Sequence, residues 1–162
     1  MILVTHGLVG GSVALATGNP FLGALAAFAS HFVLDAIPHW DYHLPALDES
    51  NGPMNIEIER RGLLETYAKV FIDGVLGVLL PVLLAYFAEV PVALVFVGCV
   101  FAILPDFLQF VYFKTKTPLL YHFMLFHTLI HSHVRFDKRP VLGIAMQAMF
   151  WLLSVVYMVR IW

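Results

Sequence analysis

Charge is scarce in this chain of 162 residues: 12% of them are Asp, Glu, Lys or Arg, against roughly 25% in soluble domains. That deficit excludes an ordinary soluble globule. With 60% hydrophobic residues and a mean hydropathy of +0.85, the chain reads as an integral membrane protein. The net charge is -2, with no basic stripe and no long charge run, so nucleic acid is not an expected partner. Cysteine is nearly missing as well. The single Cys99 lies in an apolar run, which excludes an internal disulfide and a cysteine-ligated zinc site. No Lys or Arg precedes the first apolar run, so the N-terminus does not read as a cleavable signal peptide. No glycine loop followed by Lys-Ser or Lys-Thr occurs, which removes a P-loop nucleotide site. Ser12 and Ser30 lack the context of a nucleophile elbow.

What the chain does have is long apolar segments, and their spacing predicts an all-α, polytopic membrane bundle of about six transmembrane helices. The chain forms one domain, residues 1–162. Gly18-Asn19-Pro20 separates Ile2–Thr17 from Phe21–Ile37, giving a tight hairpin. Gly7, Gly10 and Gly11 on the first segment, and Gly23, Ala24 and Ala27 on the second, allow close helix approach. The only long polar connection is 39–62. Within it, residues 54–61 alternate apolar and charged side chains, which suits a short strand or an interfacial turn. Leu63–Phe87, Val92–Phe113, Leu119–Val134 and Val141–Val159 complete the set. With six spans, the balance of Lys and Arg favours a cytoplasmic N-terminus in a bacterial-type inner (plasma) membrane, by the narrow margin of Arg60, Arg61, Lys114, Lys116 and Arg160 over Arg135, Lys138 and Arg139.

Ionisable groups inside spanning segments are costly and call for a partner or a function. At 1.5 Å per residue, His6, His31, Asp106, Asp73 and His127 all fall within about 6–13 Å of one face, although they come from different segments. His31 and Asp35 lie one turn apart on a helix face. Pro38 ends that helix, which leaves His39 and Asp41 on a turn able to fold back toward them. Each residue also has a plainer reading. Lys69 one turn before Asp73 can neutralise it, Asp106 after Pro105 can cap a restarting helix, and His39, Trp40, Tyr42 and His43 can form an interfacial aromatic belt. His131 and His133 fall deeper or toward the opposite face and are left out of the set.

A histidine and aspartate set without cysteine suits zinc first, with manganese or iron as the other candidates, and offers ligands for one to three ions. The candidate metal ligands are His6, His31, Asp35, His39, Asp73, Asp106, His122 and His127, and Asp41 or His43 is the candidate catalytic proton acceptor. Such sites activate water for attack on phosphorus.

The element Ser30-His31-Phe32-Val33-Leu34-Asp35 resembles the Ser-His-x-x-x-Asp motif of small integral-membrane, metal-dependent hydrolases, relatives of the LexA-regulated inner-membrane hydrolase of enteric bacteria. That family also has an early His, a Leu-Pro-Asp element and two histidines five apart, which would here be His6, Leu104-Pro105-Asp106, and His122 with His127. The motifs stand in a different order, and Phe107-Leu108-Gln109 follows where the family continues to a second Asp. Extended through Pro38-His39, the motif is also similar to the signature of zinc-dependent phospholipases C and single-strand nucleases, whose His-x-x-x-Asp helix and following His bind a trinuclear zinc site. The resemblance implies a hydrolase acting on a phosphoester, a membrane phospholipid among the candidates, through metal-activated water. The alternative is a membrane protein that binds or moves metal without catalysis. A third reading is a structural subunit whose polar layer only joins helices.

Overall fold

The Gly18-Asn19-Pro20 turn behaves as its residues dictate. Gly18 takes the left-handed conformation (φ 63°) that closes α1 (Leu3–Thr17), and its N–H donates to the Leu15 carbonyl. The Asn19 side chain then accepts from the N–H groups of Phe21 and Leu22, with Pro20 in the first turn, and so starts α2 (Pro20–Asp35). The structure is a computed structural model that describes every residue except Arg135, Asp137 and Lys138, together with all side chains but those and Ile161. The cationic positions Arg135 and Lys138, used in the sequence to orient the last loop, therefore lie outside the described residues.

Four further helices follow: α3 (Leu63–Phe87), α4 (Val92–Thr115), α5 (Pro118–Ile130) and α6 (Pro140–Val156), the last continued by a π-helical turn over Tyr157–Ile161. The fold is all-α. Three helices, α3, α4 and α6, are long and apolar enough to cross a membrane. The other three have 15, 16 and 13 residues, and at 1.5 Å per residue they extend only about 20–24 Å. The outward faces of the long helices are apolar, with Phe71 71% and Val141 80% exposed, as lipid-facing surfaces require. α4 runs unbroken through Pro105, so Asp106 does not cap a new helix there. In the polar connection, β1 (Leu47–Asp48) pairs antiparallel with β2 (Glu57–Ile58). This small hairpin is fastened to the end of α4 by Lys116, whose Nζ donates to the Ile56 carbonyl at 2.8 Å.

α1 is the centre of the bundle and is buried nearly all round, against α2, α3, α4 and α6. Its glycines make this possible. A Cβ on Gly7 would overlap the Gly77 carbonyl of α3, and one on Gly10 would lie 2.7 Å from the Gly98 carbonyl of α4. Between apolar helices in lipid, such backbone proximity replaces the hydrophobic drive as the source of cohesion.

A Gly98→Leu substitution, whose Cβ would meet the Gly10 carbonyl and the Ala14 methyl, is expected to lower stability by about 1–3 kcal/mol or more. Thermal unfolding in detergent measures this. Gly74→Ala, whose new methyl finds only Leu3 Cδ1 at 3.5 Å, should leave the midpoint unchanged or raise it slightly.

Candidate metal centre

Asp35 ends α2 and is 1% exposed. Its Oδ2 lies 3.1 Å from His31 Nε2 one turn back and 3.0 Å from His127 Nε2 of α5, and these two nitrogens are 3.2 Å apart. Asp106 Oδ1 of α4 approaches His31 Nε2 at 3.7 Å. The other carboxylate oxygen, Oδ1, lies 3.2 Å from His6 Nε2 of α1 and 3.0 Å from the α-amine of Met1. His39 Nε2 stands 2.8 Å from that amine and 3.0 Å from Asp41 Oδ2, while His131 Nε2 is 4.0 Å from Asp35 Oδ2. Two overlapping ligand groups result, His31–Asp35–Asp106–His127 and Asp35–His39–His131, each with its donor atoms within 4.8 Å of one another. Asp35 belongs to both.

The tautomers follow from the backbone. His31 Nδ1 is 2.8 Å from the Ala102 carbonyl and His39 Nδ1 is 2.7 Å from the Ile37 carbonyl. A carbonyl can only accept, so both Nδ1 atoms carry a proton and each Nε2 is the ring atom turned into the cluster, the arrangement of a metal-ligating histidine. Around Asp35 Oδ2, the His31 and His127 Nε2 atoms and the carboxylate oxygen stand 3.0–3.2 Å from one another, close enough that a proton or a cation must lie among them. Tetrahedral zinc with bonds of about 2.0–2.1 Å has ligand-to-ligand edges of roughly 3.3 Å. The triangle has that size. Both ring nitrogens of His6 and Nδ1 of His127 are buried without a hydrogen-bond partner, a cost that ligand binding relieves. His6 is also stacked on His31, with ring centroids 4.1 Å apart. The cluster can hold a divalent metal ion.

The groups outside the helices are tuned in the same sense. Burial alone would lower the Met1 amine, but the carboxylates of Asp35, Asp41 and Asp106 hold it up to about 10. Burial opposes ionisation of Asp41, yet the Met1 ammonium, 3.3 Å away, and His39 hold its carboxyl well below the usual carboxylate range. Burial, outweighing the pull of Asp35, lowers His131 and keeps its ring neutral and able to ligate.

Of the residues expected from the sequence, the structure brings His6, His31, Asp35, His39, Asp106 and His127 together, with Asp41 at the edge of the cluster. It places three elsewhere. Asp73 accepts from the N–H groups of Leu3 and Val4 at 2.8 and 3.0 Å and from the Tyr42 hydroxyl at 2.9 Å, so it caps α1 from α3. Lys69, the partner expected for Asp73, pairs instead with Glu65 at 2.6 Å. His122 is exposed against the Tyr121 ring, because five residues carry it well around α5 from His127. His43 is exposed at the wall of the cavity that opens from the cluster.

Two participants were not expected. The Met1 amine has no sequence signature. A full membrane span over Leu119–Val134 would carry His131 away from the layer. α5 instead stops at Ile130, and the Ser132 N–H donates to the Asp35 carbonyl at 2.8 Å, which draws His131 back to the cluster. Gln147 of α6 also matters. It accepts from the Thr5 hydroxyl and donates to the Trp40 carbonyl, fixing the start of α1 against the turn that bears His39 and Asp41.

Compared with protein-family models, with curated proteins and with solved structures, the chain matches none.

Purified protein is expected to carry divalent metal near stoichiometrically, and both Asp35→Ala and His31→Ala to lose it. His122→Ala should retain it. Elemental mass spectrometry beside circular dichroism distinguishes lost ligation from lost folding, and equal metal loss in the His122 variant would contradict the assignment.

Proposed function

We propose that the chain is a membrane-embedded, metal-dependent hydrolase that cleaves a phosphoester with activated water. The observation that carries this reading is that the ligand cluster is closed on one side and open on the other. His6, His31 and Asp35 are fully buried among the helices, whereas Asp106, His127 and His131 line a cavity of about 1930 Å³. Structural zinc sites are closed by protein ligands, and catalytic ones keep a position for water and substrate. Zinc is the ion the donor set favours, and the shared carboxylate of Asp35 suits two ions. Once bound, the metal supplies Lewis acidity and lowers the pKa of water.

The chain supplies the remaining roles. Asp106 and His127 hold the centre's open side toward substrate. Asp41 is a third exposed, lies 3.0 Å from His39 Nε2 and lines the cavity, so its carboxylate stands where water and substrate meet the cluster and is the better placed proton acceptor. His43 stands farther out on the cavity wall. Tyr42, whose phenol burial and Asp73 push up, keeps its proton and donates it to Asp73, which steadies the loop that carries Asp41. The ionisable side chains gather in one layer, and His133 lines the same cavity as His131. This favours a reaction centre over a polar track for moving ions. With the N-terminal side cytoplasmic, that centre would face the cytoplasmic leaflet of a bacterial plasma membrane, and lipid or another phosphoester would be the substrate.

Zinc-loaded protein is expected to hydrolyse a soluble phosphodiester such as bis(p-nitrophenyl) phosphate and to lose that activity on chelation. Asp41→Asn should lower kcat by about 10²–10⁴-fold while the metal content stays near that of the wild type. Metal-loaded protein that turns over no phosphoester would remove the hydrolase reading.

A further inference from the structure

The cavity at the cluster reaches well beyond the ligands. From Asp106 and His127 it continues as an apolar groove between α3 and α4, walled by Val75, Val78 and Val82 on one side and by Phe96 and Val100 on the other. Val75, Phe96 and Val100 are 43%, 50% and 38% exposed, so the groove is open along its length on the outer face of two helices that can cross a membrane. It has a closed end. Beyond Val82 and Phe96 the two helices meet in a packed cluster in which Ala85, Val90 and Val95 are buried. Along α4, the ten positions from Asp106 to Phe96 correspond to about 15 Å.

We infer that this groove seats a hydrocarbon chain of the substrate, so that the substrate is a lipid phosphoester entering sideways from the bilayer with its head at the histidine and aspartate cluster. Three features carry the assignment: the groove is continuous with the ligand cluster, its lining changes from ionisable to aliphatic and aromatic away from it, and its open side lies on the outer faces of two helices long and apolar enough to cross a membrane. A water-soluble phosphoester would use the polar end and leave the rest of the groove without purpose. The closed end at Val82 and Phe96 makes the groove a gauge of chain length. The inference rests on the hydrolase reading for what happens to the head group, but not for where the chain lies.

The test uses the full chain in bilayer nanodiscs with two measurements. A phosphatidic acid carrying a diazirine midway along one acyl chain is photolysed and its adducts are mapped by mass spectrometry. The turnover of dihexanoyl and dipalmitoyl phosphoesters bearing one head group is then compared. Val100→Trp and Val82→Trp narrow the groove at two separate points away from the ligands. Adducts should concentrate on the facing walls of α3 and α4 and fall roughly tenfold in both variants, with a similar loss in the preference for dipalmitoyl over dihexanoyl substrate. Adducts spread evenly over the lipid-facing sides of α2, α3 and α6, or unchanged in both variants, would overturn the groove. Adducts that are confined to the groove and lost in the variants support it even where neither substrate is cleaved, and in that case only the hydrolase reading fails.

Discussion

The constraint on which the molecule depends is the burial of the Asp35 carboxylate. An ionised carboxyl at 1% exposure in an apolar bundle is tolerable only with positive charge or polarised hydrogens on every side. The chain turns ring nitrogens to it from separate elements, His6 from α1, His31 from α2 and His127 from α5, with the Met1 ammonium beside Oδ1, and a proton or a cation shared among these nitrogens completes the compensation. Each element is thereby held to one point. The cluster that can hold a metal is also the polar junction of the fold; most of its ligands stand on helices, while His39 and His131, past helix ends, lie in segments fixed by backbone hydrogen bonds.

α1 carries that junction through the packing. Its first turn would leave backbone N–H groups unpaired in an apolar setting, and no side chain of its own caps them. Asp73 supplies the cap from α3, and Tyr42 braces Asp73 from the loop after α2. The glycine contacts at Gly7 and Gly10 then hold α1 against α3 and α4 at backbone distance. Met1 and His6 are therefore positioned by residues that never touch the cluster. Gln147 and Trp151 of α6, both bonded to Thr5, show that the last helix contributes more than a lipid-facing scaffold.

Much of this was legible in the chain before any coordinates. Helix boundaries were, because Gly18, Asn19, Pro20 and Pro118 punctuate long apolar runs with definite backbone requirements. The gathering of His6, His31, Asp35, Asp106 and His127 was readable from depth along the helices, since rise per residue converts sequence position into height. What height does not give is azimuth. Asp73 shares the layer yet turns to α1, and His122 lies on the same helix as His127 but points away. Depth also misleads where a helix stops early, as α5 does before His131. The pairing of β1 with β2 was open in the sequence because a two-residue ladder depends on its footing, here Lys116 and the buried Ile56, Tyr112 and Phe113.

The short helices have a consequence of their own. α1, α2 and α5 extend only about 20–24 Å, less than the roughly 30 Å hydrocarbon thickness of a bilayer. Inserted in a bilayer beside three helices long enough to cross it, each would leave a local hydrophobic mismatch where it stops, and α2 and α5 both stop at the cluster, at Asp35 and just past His127. A bilayer relieves such mismatch by thinning. Around this protein such thinning would bring headgroups and water toward the carboxylate without any part of the protein having to move.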